Sequence, residues 1–336
     1  MGHTMQAATI DRFGTPDVLE VNEVPRPTPG SRQVLVEVHA SAVTQGDRRL
    51  RAADFPGVFG LLGRLMFGIR RPRFPVGGST FAGRVVAVGT DVTRFAVGDD
   101  VYGNLVTGGG YGEYLIAGEG EAVARMPKGL RYADAAALPY GAVTALAFLR
   151  ERLKVQAGER VLIVGATGGV GRPAVQIAKH LGAHVTAVGH RGLAELEGAD
   201  ARIDYREEDF LQRDERWDAI LDCTEGDHFR SYGPILSAKG RSISVYVTLR
   251  GLFEMALNPL RRGPKALVGI ATGSPEELED ITALVEAGAL REPVAARFPL
   301  ARVADAHWAL EGEGLAGSIV VDVRERVMAS ARVAVA

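Results

Sequence analysis

The stretch that decides the fold is Arg160-Val161-Leu162-Ile163-Val164-Gly165-Ala166-Thr167-Gly168-Gly169-Val170-Gly171. Its apolar run, residues 161–164, reads as a strand buried on both faces, the signature of a parallel sheet. Glycines follow at G-x-x-G-x-x-G spacing, and from Gly168 the apolar residues Val170, Ala174, Val175, Ile177, Ala178 and Leu181 recur at helical period. A strand, a glycine turn and a helix in that order let the backbone approach a pyrophosphate and present the unpaired N–H groups of a helix start to its charge. Gly165, Thr167, Gly168, Gly169, Val170 and Gly171 are therefore the expected cradle of a dinucleotide.

Further strands are expected on the C-terminal side, over residues 185–188, 219–223 and 243–247, with helices over 133–152 and 275–287 and a last strand over 318–323. On the N-terminal side the chain reads as β-rich. Residues 34–40 and 83–89 form short strands punctuated by glycine and proline, which suggests a small barrel or sandwich-like unit. Residues 55–74 are both apolar and arginine-rich and read as a surface insertion or, alternatively, a lid over a substrate cleft.

The chain has 336 residues, 39 Lys plus Arg, 41 Asp plus Glu and a net charge of -2, so a strongly basic nucleic-acid binder is not expected. Its one cysteine, Cys223, excludes an internal disulfide and a cysteine-rich zinc cluster. Cys223 ends an apolar strand and reads as a buried small residue rather than a nucleophile. No apolar run is long enough to span a membrane and the first residues lack a secretory pattern, so a cytoplasmic location is expected.

Discrimination between the two nicotinamide dinucleotides normally rests on the end of the second strand, where an acidic residue bonds the ribose 2′-hydroxyl for NADH. Here residues 185–188 are followed by Gly189-His190-Arg191, with no carboxylate until Glu195. Arg191 can pair with a 2′-phosphate, and His190 and Tyr205 can add contacts. NADPH (NADP+) is the expected cofactor.

The chain resembles the medium-chain dehydrogenase/reductase superfamily, and within it the zinc-free quinone oxidoreductase-like branch. The resemblance runs from Met5 to about Val323. It is carried by Phe13-Gly14-Thr15-Pro16-Asp17-Val18-Leu19, Phe81-Ala82-Gly83-Arg84-Val85, Val97-Gly98-Asp99-Asp100-Val101-Tyr102-Gly103, Gly110-Tyr111-Gly112-Glu113-Tyr114, Ala135-Ala136-Ala137-Leu138-Pro139, the glycine turn and Gly317-Ser318-Ile319-Val320-Val321. It implies an α/β protein: a GroES-like β-rich domain (1–129), a Rossmann doubly wound parallel-sheet domain (130–271) and a return to the first domain (272–336). It also implies a homodimer joined through the sheet edge near residues 265–270.

Where zinc-dependent relatives carry metal ligands, this chain has Thr44, Ser79 and Thr80, none a good zinc ligand. His180 and His184 are four apart but flank Gly182 at a helix end, so no metal site is expected. Reducing a simple ketone develops an alkoxide and needs strong electrophilic help. Conjugate hydride addition to an enone, or reduction of a quinone, needs only a hydrogen-bond donor. The expected activity is therefore NADPH-dependent reduction of a quinone or an activated alkene, a small electrophilic substrate. The alternatives are a zinc-free alcohol or ketone dehydrogenase and, in another class, a non-catalytic NADPH-binding sensor. The resemblance places Thr44 and Tyr140 as donor candidates, with Thr144 beside the nicotinamide carboxamide. Ser244, Val245 and Tyr246 are expected beneath the nicotinamide ring, because ligands sit at the carboxyl ends of parallel strands. Thr44 stands where many relatives of the branch have Asn, and Thr80 where many have Asp. Asp47 is a relay or a turn cap. Tyr102, Tyr111 and Tyr114 are further donor options or core residues.

Overall fold

The computed structural model describes residues 3–55, 59–225, 228–312 and 316–324. Residues 56–58 of the expected insertion, and 313–315 and 325–336 of the expected return to the first domain, therefore lie outside the described residues.

The N-terminal part opens with a two-stranded antiparallel pair, Thr4–Thr9 (β1) and Glu20–Pro25 (β2). Five strands follow: Gln33–Val43 (β3), Thr80–Val88 (β4), Asp100–Asn104 (β5), Tyr114–Gly118 (β6) and Val123–Arg125 (β7). Between β3 and β4 lie helices Gln45–Ala52 (α1) and Phe59–Phe67 (α2), so the insertion carries a helix of its own. Thr44 starts α1 with a reciprocal cap. Its hydroxyl accepts from the Asp47 backbone N–H at 3.1 Å, and the Asp47 carboxylate accepts from the Thr44 N–H at 2.9 Å.

The expected single helix over 133–152 is three pieces. Tyr132–Ala137 (α3) stops at Pro139, which has no N–H to continue the ladder; Pro139–Leu146 (α4) follows, and a wider π-helical turn occupies Ala147–Arg152. Alanine-rich α3 packs on β3 and β4, so a buried core continues from the first unit into the second.

Next come Arg160–Val164 (β8), Gly171–His180 (α5), His184–Gly189 (β9), Ala201–Asp204 (β10), Trp217–Asp222 (β11), Phe229–Tyr232 (α6), Leu236–Ser244 (β12), Leu249–Ala256 (α7) and Lys265–Leu267 (β13). The helix after the glycine turn begins at Gly171 rather than Gly168, because the glycines themselves make the turn. The strand expected over 243–247 ends at Ser244, leaving Val245 and Tyr246 beyond it.

All neighbours in this six-stranded sheet are parallel, in the order β10-β9-β8-β11-β12-β13, the doubly wound order. The direction of winding reverses between β8 and β11, so a crevice opens at their carboxyl ends, where the glycine turn and Cys223 lie. Buried Val161, Leu162, Ile163, Ala219, Ile220 and Leu221 fill the strand interiors, which is why these stretches are apolar without alternation.

Pro275–Glu286 (α8) lies against α4 and β7, and Val294–Pro299 (β14), Val303–Glu311 (α9) and Ser318–Asp322 (β15) complete the described chain. β15 pairs antiparallel with the end of β3, Ile319 opposite Val43, and β14 pairs with β15, so the chain returns to its first sheet.

Candidate active site

α1 and α4 face each other across the gap between the two sheets. Around them a cleft of about 330 Å³ is lined by Gln45 and Arg49 from α1, Tyr140 and Thr144 from α4, Phe148, Gly168 and Val170 from the glycine turn, and Cys223, Val245 and Tyr246 at the ends of β11 and β12. Residues 269–271 complete it. A volume in this range suits a small ligand. A smaller pocket of about 50 Å³ lies on the other side of α1, lined by Asp47, Leu50 and Arg51, with Phe67, Pro72 and Phe74 of the insertion. The smaller pocket is mainly apolar, whereas the convergent polar groups and the strand ends are at the cleft, which we take as the site. Among the described residues, none from the insertion lines that cleft.

The glycine turn is built for close approach. Gly165 has φ 72°, in the left-handed region. Gly141 brings α4 onto the turn so closely that a side chain there would strike Gly169. α4 is thereby fixed with Tyr140 and Thr144 facing the crevice. The Thr144 hydroxyl donates to the Tyr140 carbonyl at 2.8 Å, one helical turn back. Burial, with Tyr246 nearby, pushes the Tyr140 hydroxyl up to about 12, so it stays protonated at neutral pH and is a standing donor.

Thr44 and Tyr140 flank Gly46: a Cβ there would be 3.1 Å from the Tyr140 ring and 3.3 Å from the Thr44 Oγ1. The Thr44 hydroxyl is already engaged. It donates to the Asp47 carboxylate at 2.7 Å and lies 3.4 Å from the Ser79 hydroxyl. Asp47 also accepts from the Ser79 N–H at 2.7 Å; burial raises its pKa and these hydrogen bonds oppose the rise. Asp47 is thus the reciprocal partner of the Thr44 cap on α1. Thr80, fully buried, accepts from the Ala42 N–H at 2.9 Å and ties β3 to β4. Thr44, Ser79 and Thr80 are consequently three hydroxyls spent on the backbone and on one carboxylate, a donor set that does not fit zinc.

The candidate tyrosines Tyr102, Tyr111 and Tyr114 do not line the cleft. Tyr102 bonds the Leu278 carbonyl at 2.8 Å, Tyr111 lies 3.1 Å from His307 Nε2, and Tyr114 takes a bond from Arg324 at 2.7 Å. Burial raises the pKa of the Cys223 thiol, the opposite of what a thiolate nucleophile needs.

At the far end of the glycine turn, His190, Arg191 and Tyr205 gather at the carboxyl ends of β9 and β10. His190 and Tyr205 meet edge to face at 6.0 Å, and Tyr205 and Arg191 are exposed. The sequence reading missed a carboxylate here. Asp204, opposite Gly189 in the sheet, touches His190 Nδ1 at 2.7 Å. Its pKa is lowered by the Arg206 N–H and then by His190. No pattern along β9 shows it, because it arrives from the neighbouring strand. Ser244 is occupied locally, accepting from the Tyr246 N–H at 3.1 Å, while Val245 and Tyr246 reach the cleft. Gln45 and Arg49 were also missed. Their i, i+4 spacing on a helix capped at Thr44 is the signal that puts them on one face.

Two family models match the chain: an alcohol dehydrogenase GroES-like domain over residues 30–128 and a zinc-binding dehydrogenase over 197–321. A chloroplast envelope quinone oxidoreductase homolog of Arabidopsis thaliana is 32% identical, the match covering 96% of this chain and 99% of that protein. A mitochondrial NAD(P)H oxidoreductase of Homo sapiens is 31% identical over 95% of this chain and 89% of that one. The structure of the quinone oxidoreductase from Coxiella burnetii superposes with a TM-score of 0.84 at 29% identity, covering 96% and 100% of the two chains. The chain belongs to the medium-chain dehydrogenase/reductase superfamily. Within it, the protein is an oxidoreductase of the quinone oxidoreductase-like kind.

Proposed function

We propose that the protein is a zinc-independent, NADPH-dependent reductase of quinones or α,β-unsaturated carbonyl compounds. The observation that carries this reading is the cleft itself: a protonated tyrosine hydroxyl at Tyr140 stands beside the glycine turn, while the positions that hold zinc in other relatives carry engaged hydroxyls. A dinucleotide fits the residues present. Gly168, Gly169, Val170 and Gly171 would hold the pyrophosphate on the start of α5, and Thr144, Val245 and Tyr246 would line the nicotinamide end. Bound there, the cofactor supplies the hydride. The chain's own work is to position the acceptor, exclude water with Phe148 and Val245, and donate a hydrogen bond from Tyr140 to the acceptor's oxygen. Thr44 acts behind Tyr140, holding α1 in place through Asp47.

Arg191, His190 and Tyr205 at the ribose end support NADPH. The engagement of Asp204 by His190 supports the same choice, because a carboxylate so bonded is less available to a ribose hydroxyl. The edge strand β13, with Leu249, Phe253, Leu260 and Ile270 exposed near it in the chain, supports a homodimer. No described helix is long and apolar enough to cross a membrane. Steady-state assays with an enone, a quinone and a simple ketone, each with NADPH and with NADH, test the reading. Turnover of the first two with NADPH is expected. A clear preference for the ketone would favour the alcohol dehydrogenase alternative, and tight binding without turnover the sensor.

A further inference from the structure

Among the described residues lining the cleft, Arg49 carries the one charged side chain. It belongs to α1, in the first unit, yet it reaches across to the second. Its guanidinium carbon lies 4.5 Å above the centre of the Tyr246 ring, and its Nη2 donates to Glu225 Oε1 at 2.8 Å. The two ends of that ion pair differ in surroundings: the Arg49 side chain is 13% exposed and that of Glu225 is 72% exposed. The guanidinium is thus a largely dehydrated cation. Its anionic partner sits in solvent, where an ion pair is weakly held and easily exchanged. Tyr246 keeps the guanidinium plane in place from below. The charge is also felt at Tyr140, whose pKa Arg49 draws downward against the effect of burial.

We propose that Arg49 is the electrophile of the cleft: it leaves Glu225 to bind the substrate oxygen that becomes negative during reduction. This rests on the reductase reading above. When hydride adds to the β-carbon of an enone, the alkene pair moves to form the enolate and the carbonyl oxygen takes the negative charge. A proton from water then gives the saturated ketone. For a quinone, hydride and one proton give the hydroquinone, through its monoanion. In both cases an oxygen that is neutral in the substrate turns anionic. A guanidinium already in the site stabilises that change more than it stabilises the ground state. Tyr140 then supplies the second hydrogen bond to the same oxygen. The predicted preference is for acceptors whose reduced form is an oxyanion flat enough to lie along the Arg49–Tyr246 stack.

The test uses 4-nitrophenol as a probe of oxyanion binding, with the full chain and saturating NADP+, followed by the phenolate absorbance. Wild type is expected to bind the phenolate about tenfold more tightly than the phenol, lowering the apparent pKa of the bound probe by about one unit. Arg49→Gln should abolish that preference, Arg49→Lys should retain part of it, and nitrobenzene should bind all three within about twofold. Glu225→Gln, an exposed change that leaves the fold alone, removes the competing anion and should tighten phenolate binding about threefold. In steady state, Arg49→Gln should lower kcat about thirtyfold with little change in KM for a neutral acceptor. Equal phenolate binding by wild type and Arg49→Gln, or no phenolate preference in wild type, overturns the proposal. So does a Glu225→Gln variant that binds phenolate no better than wild type. A phenolate preference without turnover of any enone or quinone would instead overturn the reductase reading and leave the oxyanion site standing.

Discussion

A Cβ placed on Gly141 would lie 1.9 Å from the carbonyl oxygen of Gly169. Two glycines from separate elements thus let the helix carrying Tyr140 and Thr144 rest directly on the turn that would hold a pyrophosphate. The atom in the way is backbone, so no side-chain rotation can make room. The absence of a side chain at Gly141 is therefore what lets α4 approach the glycine turn this closely.

Gly141→Ala should therefore damage both stability and cofactor binding. Overpacking of a rigid contact costs about 1–3 kcal/mol. Chemical denaturation should show a loss of that size, and the affinity for NADPH should fall at least severalfold. An alanine variant with wild-type stability and affinity would mean that the two elements are not held together as described.

Tyr140→Phe removes the hydroxyl and keeps the ring. If that hydroxyl donates to the acceptor, kcat should fall about ten- to hundredfold while cofactor binding holds, a loss of about 1.5–3 kcal/mol expected for a hydrogen bond to a charged group. The pH dependence has a definite sign. Burial pushes Tyr140 up to about 12, so it remains a donor throughout the neutral and mildly alkaline range, and deprotonation of Tyr140 should not lower the rate between pH 6 and about pH 10. An alkaline fall in rate that vanishes in Tyr140→Phe would contradict this.

Arg191→Ala should weaken NADPH selectively. A charge-assisted bond to a 2′-phosphate is worth about 1.5–3 kcal/mol, so KM for NADPH should rise about ten- to hundredfold while that for NADH changes little. Equal effects on the two cofactors would remove Arg191 from the ribose end.

Glu292 gives the fold a pH dependence of its own. It is 6% exposed, holds a bond from Ser318 at 3.1 Å, and burial raises its carboxyl from 4.5 to about 8. A raised carboxyl favours the folded state while protonated. Its contribution is complete below about pH 4.5 and is lost as pH rises through about 8, at up to about 1.4 kcal/mol per pH unit. Glu292→Gln should flatten this decline and gain stability relative to wild type at pH 9, read by denaturant unfolding at several pH values. Parallel pH profiles for the two proteins would count against it.

The fold was readable where one physical rule governs a whole segment. Residues 161–164 and 219–221 are apolar without alternation because helices cover both faces of their strands, and that pattern survives any tertiary detail. Pro139 broke an alanine-rich helix that periodicity alone joins, since the missing N–H outweighs helix propensity at that point. The site was readable along the chain and unreadable across it. The glycine turn, Val245 and Tyr246 follow from position relative to a strand end, whereas Tyr140 and Thr144 came from the family resemblance. Asp204 meets His190 through sheet pairing, and Arg49 meets Tyr246 and Glu225 across two units of the chain. Neither juxtaposition leaves a trace in local spacing. Thr44 was legible as a polar residue at the site, but not as a hydroxyl already engaged by its own helix cap.

The most direct test of the whole account is a fluorescence titration of the purified full chain with NADPH and, separately, with NADH, checked by calorimetry. The account predicts saturable uptake of one NADPH per chain, with NADH bound at least tenfold more weakly. Well-folded protein that takes up neither cofactor would contradict it.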